Sequence, residues 1–143
     1  MSDPRFRFSL RTRVDLADTD LGAVVYYGRY PHYIDRAVIA YRRELGVAPL
    51  GPPGHLFVVR SLQIDYRSSA RFDDRLEVFV RTGEVGRTSH TVDVRITRPG
   101  EDGPESIADA RLVIVGLAAY GGRPSRMPDD MRRALCEFEG LDP

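Results

Sequence analysis

Hydrophobic and polar residues alternate with a period of two along five segments of the chain, which predicts five β-strands. In the first segment, Phe6, Phe8 and Leu10 alternate with arginines and a serine. The fifth segment is apolar on both sides near its end, so we expect that strand to be buried. The predicted strands cover residues 5–14, 56–67, 76–81, 88–98 and 106–117.

A period near 3.6 marks one long helix over residues 30–45. Pro31 suits a first helical turn, and Gly46 with Pro49 ends the helix. A second, short helix is predicted over residues 128–138, where acidic residues precede basic ones. The long helix buries one apolar stripe and turns its charged residues to solvent. The stripe comprises Tyr30, Ile34, Ala37, Val38, Tyr41 and Leu45, and the charged side comprises Arg36, Arg42, Arg43 and Glu44.

The order of these elements, a strand, a helix and then four strands joined by short turns, predicts an α+β fold with one antiparallel sheet and the long helix on one face. A length of 143 residues with 42% hydrophobic content fits a single domain, residues 1–143. One helix cannot cover five strands. We therefore expect a second subunit to cover the remaining apolar surface.

Composition excludes several classes of function. The formal net charge is zero, which argues against nucleic-acid binding. No apolar run is long enough for a membrane span, and the N-terminal residues lack the apolar stretch of a signal peptide, so we expect a cytoplasmic protein. Cys136 is the only cysteine, and His32, His55 and His90 lack metal-ligand spacing, so we expect no metal.

The loop over residues 18–30 carries the candidate chemistry. Asp18 and Asp20 precede a flexible Gly22, and the loop ends at the start of the long helix. The first N–H groups of a helix have no partner within it, and the helix dipole is positive there, so they can polarise an acceptor oxygen. We interpret the segment as an active-site loop. The alternative from spacing alone is a structural loop whose carboxylates cap turns.

Two motifs in this region resemble those of a known family. The first is Asp18-Thr-Asp20-Leu-Gly22 followed by Ala-Val-Val-Tyr-Tyr, and the second is Tyr30-Pro-His-Tyr-Ile-Asp35-Arg-Ala on the helix. The whole resembles the hotdog fold, a five-stranded antiparallel sheet wrapped around one long helix, here with a short C-terminal helix. The loop resembles that of the 4-hydroxybenzoyl-CoA and YbgC-type acyl-CoA thioesterases, and the likeness covers residues 11–117. Many YbgC-like members have Gly at the place of Ala23 and His at the place of Tyr27.

The resemblance implies hydrolysis of an acyl-CoA or acyl-carrier-protein thioester. Asp20 would be base or nucleophile, and the N–H groups near Tyr27 and Gly28 would bind the developing oxyanion. No cofactor is expected beyond the CoA or phosphopantetheine of the substrate. The residues assigned to acyl binding are Tyr26, Tyr30, His55, Val59, Arg60 and Ser61. Those assigned to CoA or phosphopantetheine are Arg67, Arg71, Arg87 and Ser89.

The resemblance also implies a homodimer, often doubled to a homotetramer, whose active sites combine the loop of one subunit with residues 58–61 of its partner. The alternative function is a non-hydrolytic hotdog protein that binds or modifies a carrier-bound acyl chain. Release of free thiol from a panel of acyl-CoAs distinguishes the two.

Overall fold

A computed structural model describes residues 3–143. The strands are β1 (Phe8–Arg13), β2 (Leu56–Tyr66), β3 (Arg75–Val85), β4 (Ser89–Arg98) and β5 (Glu105–Leu117), and the α-helices are α1 (Tyr30–Leu45) and α2 (Asp129–Glu139). The strands form one antiparallel sheet in the order β1-β3-β4-β5-β2. This confirms the predicted architecture and leaves β1 and β2 as the two edges.

The ends of α1 lie where the sequence predicted them. Gly46 adopts a left-handed conformation with φ of 75°, and its N–H donates to the carbonyl groups of Arg42 and Arg43. One face of α1 packs against β1 and β3, and most of the predicted stripe is buried. Arg42 is an exception to the prediction, because it lies on the buried side.

Two strand predictions needed correction. The first strand begins at Phe8 instead of Arg5, because Asp3 draws Arg5 and Phe6 into a turn through hydrogen bonds to their N–H groups. The third strand continues through Gly83 to Val85, beyond the predicted end at residue 81.

The second helix and the outer face of the sheet change the reason for expecting another subunit. α2 packs against β3 and α1, where the Glu139 carboxylate accepts hydrogen bonds from the Tyr41 hydroxyl (2.6 Å) and the Thr82 N–H (2.8 Å). The face of the sheet that points away from both helices carries ion pairs. Asp93 pairs with Arg81 and Arg111 at 2.9 Å each, and Asp109 pairs with Arg95 at 3.0 Å and Arg67 at 3.4 Å.

Exposed apolar surface is instead found on the edge strand β2. Val59 is 54% exposed, and Leu62 and Tyr66 are also exposed. A bulge between Val59 and Ser61 leaves Arg60 without a partner on β5. The edge strand, rather than the outer face, is therefore the part of the sheet that a second copy could cover. No helix among residues 3–143 is both long and apolar enough to cross a membrane.

Candidate active site

The loop before α1 doubles back on itself. The Asp20 N–H donates to the Val24 carbonyl at 2.9 Å, and the Tyr26 N–H donates to the Asp18 carbonyl at 3.0 Å. Ala23, at the bend, has a φ of 59°, a region that L-residues other than Gly rarely adopt. These hydrogen bonds hold the two aspartates and the start of α1 in one small unit.

Asp18 is the structural member of the aspartate pair. It is 4% exposed, and its Oδ1 accepts hydrogen bonds from Arg29 Nε (3.1 Å) and Nη2 (2.8 Å). Its Oδ2 accepts a short hydrogen bond from the Tyr33 hydroxyl and a long one, 3.4 Å, from the Asp15 N–H. Burial opposes ionisation of Asp18, but these donors outweigh burial and place its pKa below the usual value. Asp18 therefore ties the loop to α1.

Asp20 is the free member of the pair. Its side chain is exposed, and only Oδ1 is engaged, by the Gly22 N–H at 2.8 Å. Within residues 3–143 no donor reaches Oδ2. A carboxylate oxygen without a donor can accept a proton or attack a carbonyl carbon, which the saturated oxygens of Asp18 cannot do.

Two unpartnered N–H groups follow the loop. Tyr27–Arg29 form a 3₁₀ turn that runs directly into α1, with the Arg29 N–H bonded to the Tyr26 carbonyl at 2.8 Å. In the described part of the chain, neither the Tyr27 N–H nor the Gly28 N–H donates a hydrogen bond. They are the first donors of a helical segment and are available for an external oxygen.

Tyr66, at the end of β2, supports this turn. Its hydroxyl donates to the Tyr27 carbonyl at 3.1 Å, and its ring packs edge-on against the ring of Tyr30 at 5.4 Å. The Tyr27 carbonyl and the Gly28 N–H belong to the same peptide group. Hydrogen bonding to that carbonyl therefore orients the N–H and increases its polarity.

The other predicted tyrosines differ in exposure. Tyr26 is exposed, and its ring lies 4.6 Å from that of Tyr27, so it can contact a ligand at the turn. Tyr30 is buried, and its hydroxyl accepts the Ala70 N–H at 3.1 Å. Its predicted role in acyl binding is therefore corrected, because it is a core residue that positions the turn following β2.

An apolar groove of about 330 Å³ lies between α1 and the edge strand β2. Of the predicted acyl-binding residues on β2, Val59 lines the groove, whereas Arg60 and Ser61 are exposed outside it. Two charged residues, Asp35 and Arg42, also line it. The remaining lining residues are Val38, Ile39, Leu50, Phe57, Val58, Leu112 and Ile114.

His55 does not line this groove, which corrects its predicted role. It is fully buried, its ring covers Gly116, and its Nδ1 lies 2.9 Å from the Ser125 hydroxyl. The Phe57 ring separates His55 from the groove and packs edge-on against both His55 (5.9 Å) and His90 (5.6 Å). Burial, followed by the nearby Arg42 and His55, lowers the pKa of His90 to about 3.

The four predicted CoA ligands do not converge in one subunit. Arg67 is paired with Asp109, and Arg71 pairs through its backbone with Val24 of the loop. Arg87 and Ser89 lie at the opposite end of the sheet, about 26 Å away along β5 by strand rise. Of these four residues, Arg71 is the one that lies beside the active-site loop.

Sequence reasoning missed Arg29, Tyr33, Tyr66 and the buried position of Arg42. Only Tyr66 carried a usable signal, since an exposed aromatic at a strand end is a frequent ligand contact. Among residues 3–143, no three His, Cys, Asp or Glu side chains converge as the ligands of a metal ion would.

Comparison with known proteins supports the family resemblance. The family model of the thioesterase superfamily matches residues 22–104. Acyl-CoA thioester hydrolase YbgC from Escherichia coli O6:H1 is 32% identical over 141 residues, covering 97% of this chain and 99% of that protein. Acyl-CoA thioesterase YbgC from Haemophilus influenzae is 38% identical over 94 residues, covering 64% of this chain and 69% of that protein.

A solved structure supports the fold. The 4-hydroxybenzoyl-CoA thioesterase from Pseudomonas sp. strain CBS-3 superposes with a TM-score of 0.78 at 21% identity, covering 89% of this chain and 97% of that one. The hotdog fold predicted from the sequence is thereby confirmed. With the superfamily match over residues 22–104 and the near-complete YbgC alignment, this protein belongs to the thioesterase superfamily and is a thioester hydrolase.

Proposed function

We propose that this protein hydrolyses acyl-CoA thioesters at the loop that joins Asp20 to the start of α1. The observation that carries the proposal is the pairing of a free carboxylate oxygen on Asp20 with two unpartnered N–H groups, those of Tyr27 and Gly28. The YbgC relatives, which are named acyl-CoA thioesterases, support the choice of acyl-CoA as substrate.

In this mechanism the thioester oxygen binds to the Tyr27 and Gly28 N–H groups, which stabilise the negative charge that develops there. One such donor typically contributes about 3 kcal/mol in the transition state. If Asp20 is a general base, it takes a proton from the water that attacks the carbonyl carbon. The C–S bond then breaks, and the leaving thiolate takes up the proton that Asp20 accepted, which regenerates the carboxylate. If Asp20 is the nucleophile, its carboxylate attacks the carbonyl carbon and the C–S bond breaks to release the thiolate. Water then hydrolyses the resulting mixed anhydride.

The test is release of free thiol from a panel of acyl-CoAs by the wild-type protein and the Asp20→Asn variant. We expect Asp20→Asn to lower kcat by at least about a hundredfold with little change in KM, because the carboxylate acts mainly in the transition state. Asparagine keeps the oxygen that accepts the Gly22 N–H, so the loop should stay folded. An Asp20→Asn variant with wild-type kcat would refute the assignment.

A first turnover in water labelled with heavy oxygen identifies a nucleophilic Asp20 if the acid product is unlabelled. A general base gives labelled acid product. A nucleophile whose anhydride is hydrolysed at the aspartyl carbon gives unlabelled product and a labelled protein.

The proposal includes a homodimer formed along β2. An edge strand with free N–H and carbonyl groups and exposed Val59, Leu62 and Tyr66 supports this assembly. In such a dimer the groove of one subunit, lined by Val58 and Val59, would receive the acyl group held by the loop of its partner. Co-refolding inactive Asp20→Asn subunits with subunits blocked by Val59→Trp should restore partial activity. An active monomer in sedimentation experiments would contradict a shared site.

A further inference from the structure

Arg42 is a buried cation in an apolar groove. The residue is 9% exposed, and its guanidinium lies over the Phe57 ring, with Cζ 4.4 Å from the ring centroid. Its groove neighbours Leu112 and Ile114 are aliphatic. The next residue on the same helix, Arg43, is exposed, so Arg42 is buried because of its position on the helix face.

The guanidinium has no counter-ion within residues 3–143. Its single hydrogen-bond acceptor is the Pro49 carbonyl, which Nη1 reaches at 2.7 Å. Asp35 is the one carboxylate that lines the groove. Its charge raises the pKa of Arg42, but no salt bridge joins the two side chains. Four of the five N–H groups of the guanidinium therefore have no acceptor in this part of the chain.

Burial of an unpaired charge is unfavourable, and the pKa of Arg42 reflects it. Desolvation lowers this pKa to about 10, only partly opposed by Asp35, so the group is still charged at neutral pH. The two nearby imidazoles, His55 and His90, do not supply a negative charge. A leucine would fill the same space without this cost. The guanidinium N–H groups without an acceptor among residues 3–143 are not fully enclosed, so a ligand in the groove can reach them.

We propose that Arg42 binds a carboxylate at the far end of the acyl group, so that this enzyme prefers CoA monothioesters of dicarboxylic acids. The inference rests on the proposed function, because it assigns the groove to the acyl group. The planar fork of a guanidinium matches a carboxylate with two parallel hydrogen bonds, and the apolar walls suit the methylene chain between the two ends.

The position of Arg42 sets a length requirement. Tyr30 and Arg42 are twelve residues apart, about 18 Å along the helix axis. Within one subunit only a long acyl chain would span this distance, whereas a shorter chain would suffice where the proposed dimer brings the loop of the partner to the groove. The preferred chain length therefore reports which loop supplies the reacting carbonyl.

The test compares kcat/KM for acyl-CoAs that end in a carboxylate with methyl-terminated acyl-CoAs of equal length, over a series of lengths. We expect wild-type protein to prefer the carboxylate by at least about tenfold at one length, through a lower KM. Arg42→Leu should lose this preference and retain activity on methyl-terminated substrates. Arg43→Leu, which removes an exposed arginine one position away, should behave as wild type.

Each of the following three outcomes would overturn the inference. Equal activity of wild-type protein on both substrate series would show that Arg42 does not bind an acyl carboxylate. An equal loss on both series in Arg42→Leu and Arg42→Gln would assign Arg42 to structure. Weaker dimerisation of Arg42→Leu, without a change in substrate preference, would assign its partner to the second subunit.

Failure of the proposed function is distinguishable. If wild-type protein hydrolyses neither series, calorimetric binding of non-hydrolysable thioether analogues, with and without the terminal carboxylate, still measures the contribution of Arg42. Equal affinity of the two analogues for wild-type protein would then overturn the inference.

Discussion

Replacement of Asp18 by asparagine should lower the unfolding free energy of the protein more than it lowers kcat. The asparagine oxygen can replace one carboxylate oxygen, but its NH2 group would face either Tyr33 or Arg29. The Tyr33 hydroxyl can rotate to accept a hydrogen bond, whereas the Arg29 guanidinium has only donors. The substitution therefore removes the negative charge that the Arg29 and Tyr33 donors share, at a position where the side chain is buried.

The magnitude follows from the exposure of each partner. A buried hydrogen bond to a charged group contributes about 1.5–3 kcal/mol. The Arg29 side chain is 44% exposed, so its pair with Asp18 contributes at most about 1 kcal/mol. We expect a loss of about 2–3 kcal/mol of unfolding free energy after the hydrogen bond that asparagine retains is discounted. At a chain length of 143 residues that corresponds to a decrease in Tm of about 7–10 °C.

The assay pairs thermal unfolding with kcat measured well below Tm, for Asp18→Asn and Asp20→Asn. Asp18→Asn should have a lower Tm than the wild-type protein but a higher kcat than Asp20→Asn. Asp20→Asn should have the wild-type Tm and a strongly reduced kcat. A variant with wild-type Tm and no turnover at position 18 would refute this division of roles.

Three further outcomes follow from other contacts. Ala23→Gly should raise unfolding free energy by about 0.5–1 kcal/mol, since Ala23 has a φ of 59° and glycine adopts that conformation without strain; an unchanged or lower Tm would contradict this. Tyr66→Phe should lower kcat about threefold to tenfold with KM nearly unchanged, because the Gly28 N–H loses the support of one hydrogen bond, while the exposed Tyr120→Phe serves as control. The folded pKa of His90 lies below its unfolded value of 6.5, so the unfolding free energy of the protein is full above pH 6.5 and decreases towards pH 3. His90→Leu should lessen this decrease by about 2 kcal/mol at pH 5. Denaturant titration at several pH values measures it.

The elements of the fold were predictable because each strand has one buried face and the caps of α1 are local signals. Gly46 ends the helix through its own backbone conformation, which the residue type alone indicates. The start of β1 was not predictable, because a hydrogen-bonded turn at Asp3 competes with an alternating pattern that continues through Arg5 and Phe6. Arg42 was wrongly placed on the solvent side, because an arginine counts as polar whatever its stem packs against.

The candidate site was only partly predictable. The sequence showed two aspartates beside a helix start, and family resemblance selected Asp20. The physical difference between them, saturation of Asp18 by Arg29 and Tyr33, depends on partners 11 and 15 positions away in the chain. Tyr66 reaches the loop across 39 positions, so no local pattern relates it to Tyr27. Contacts of this range are set by tertiary structure, and a single sequence does not record them.

The close approach of His55 to Gly116 restricts how related sequences can diverge. A Cβ atom at position 116 would lie 2.0 Å from the His55 ring, so no side chain fits there while the imidazole is present. The two positions are 61 residues apart in the numbering, and position 116 can gain a side chain only where position 55 has lost its imidazole. A relative with alanine or a larger residue at position 116 should carry a small residue at position 55. The identities at these two positions would then sort the family into histidine-bearing and histidine-lacking lineages.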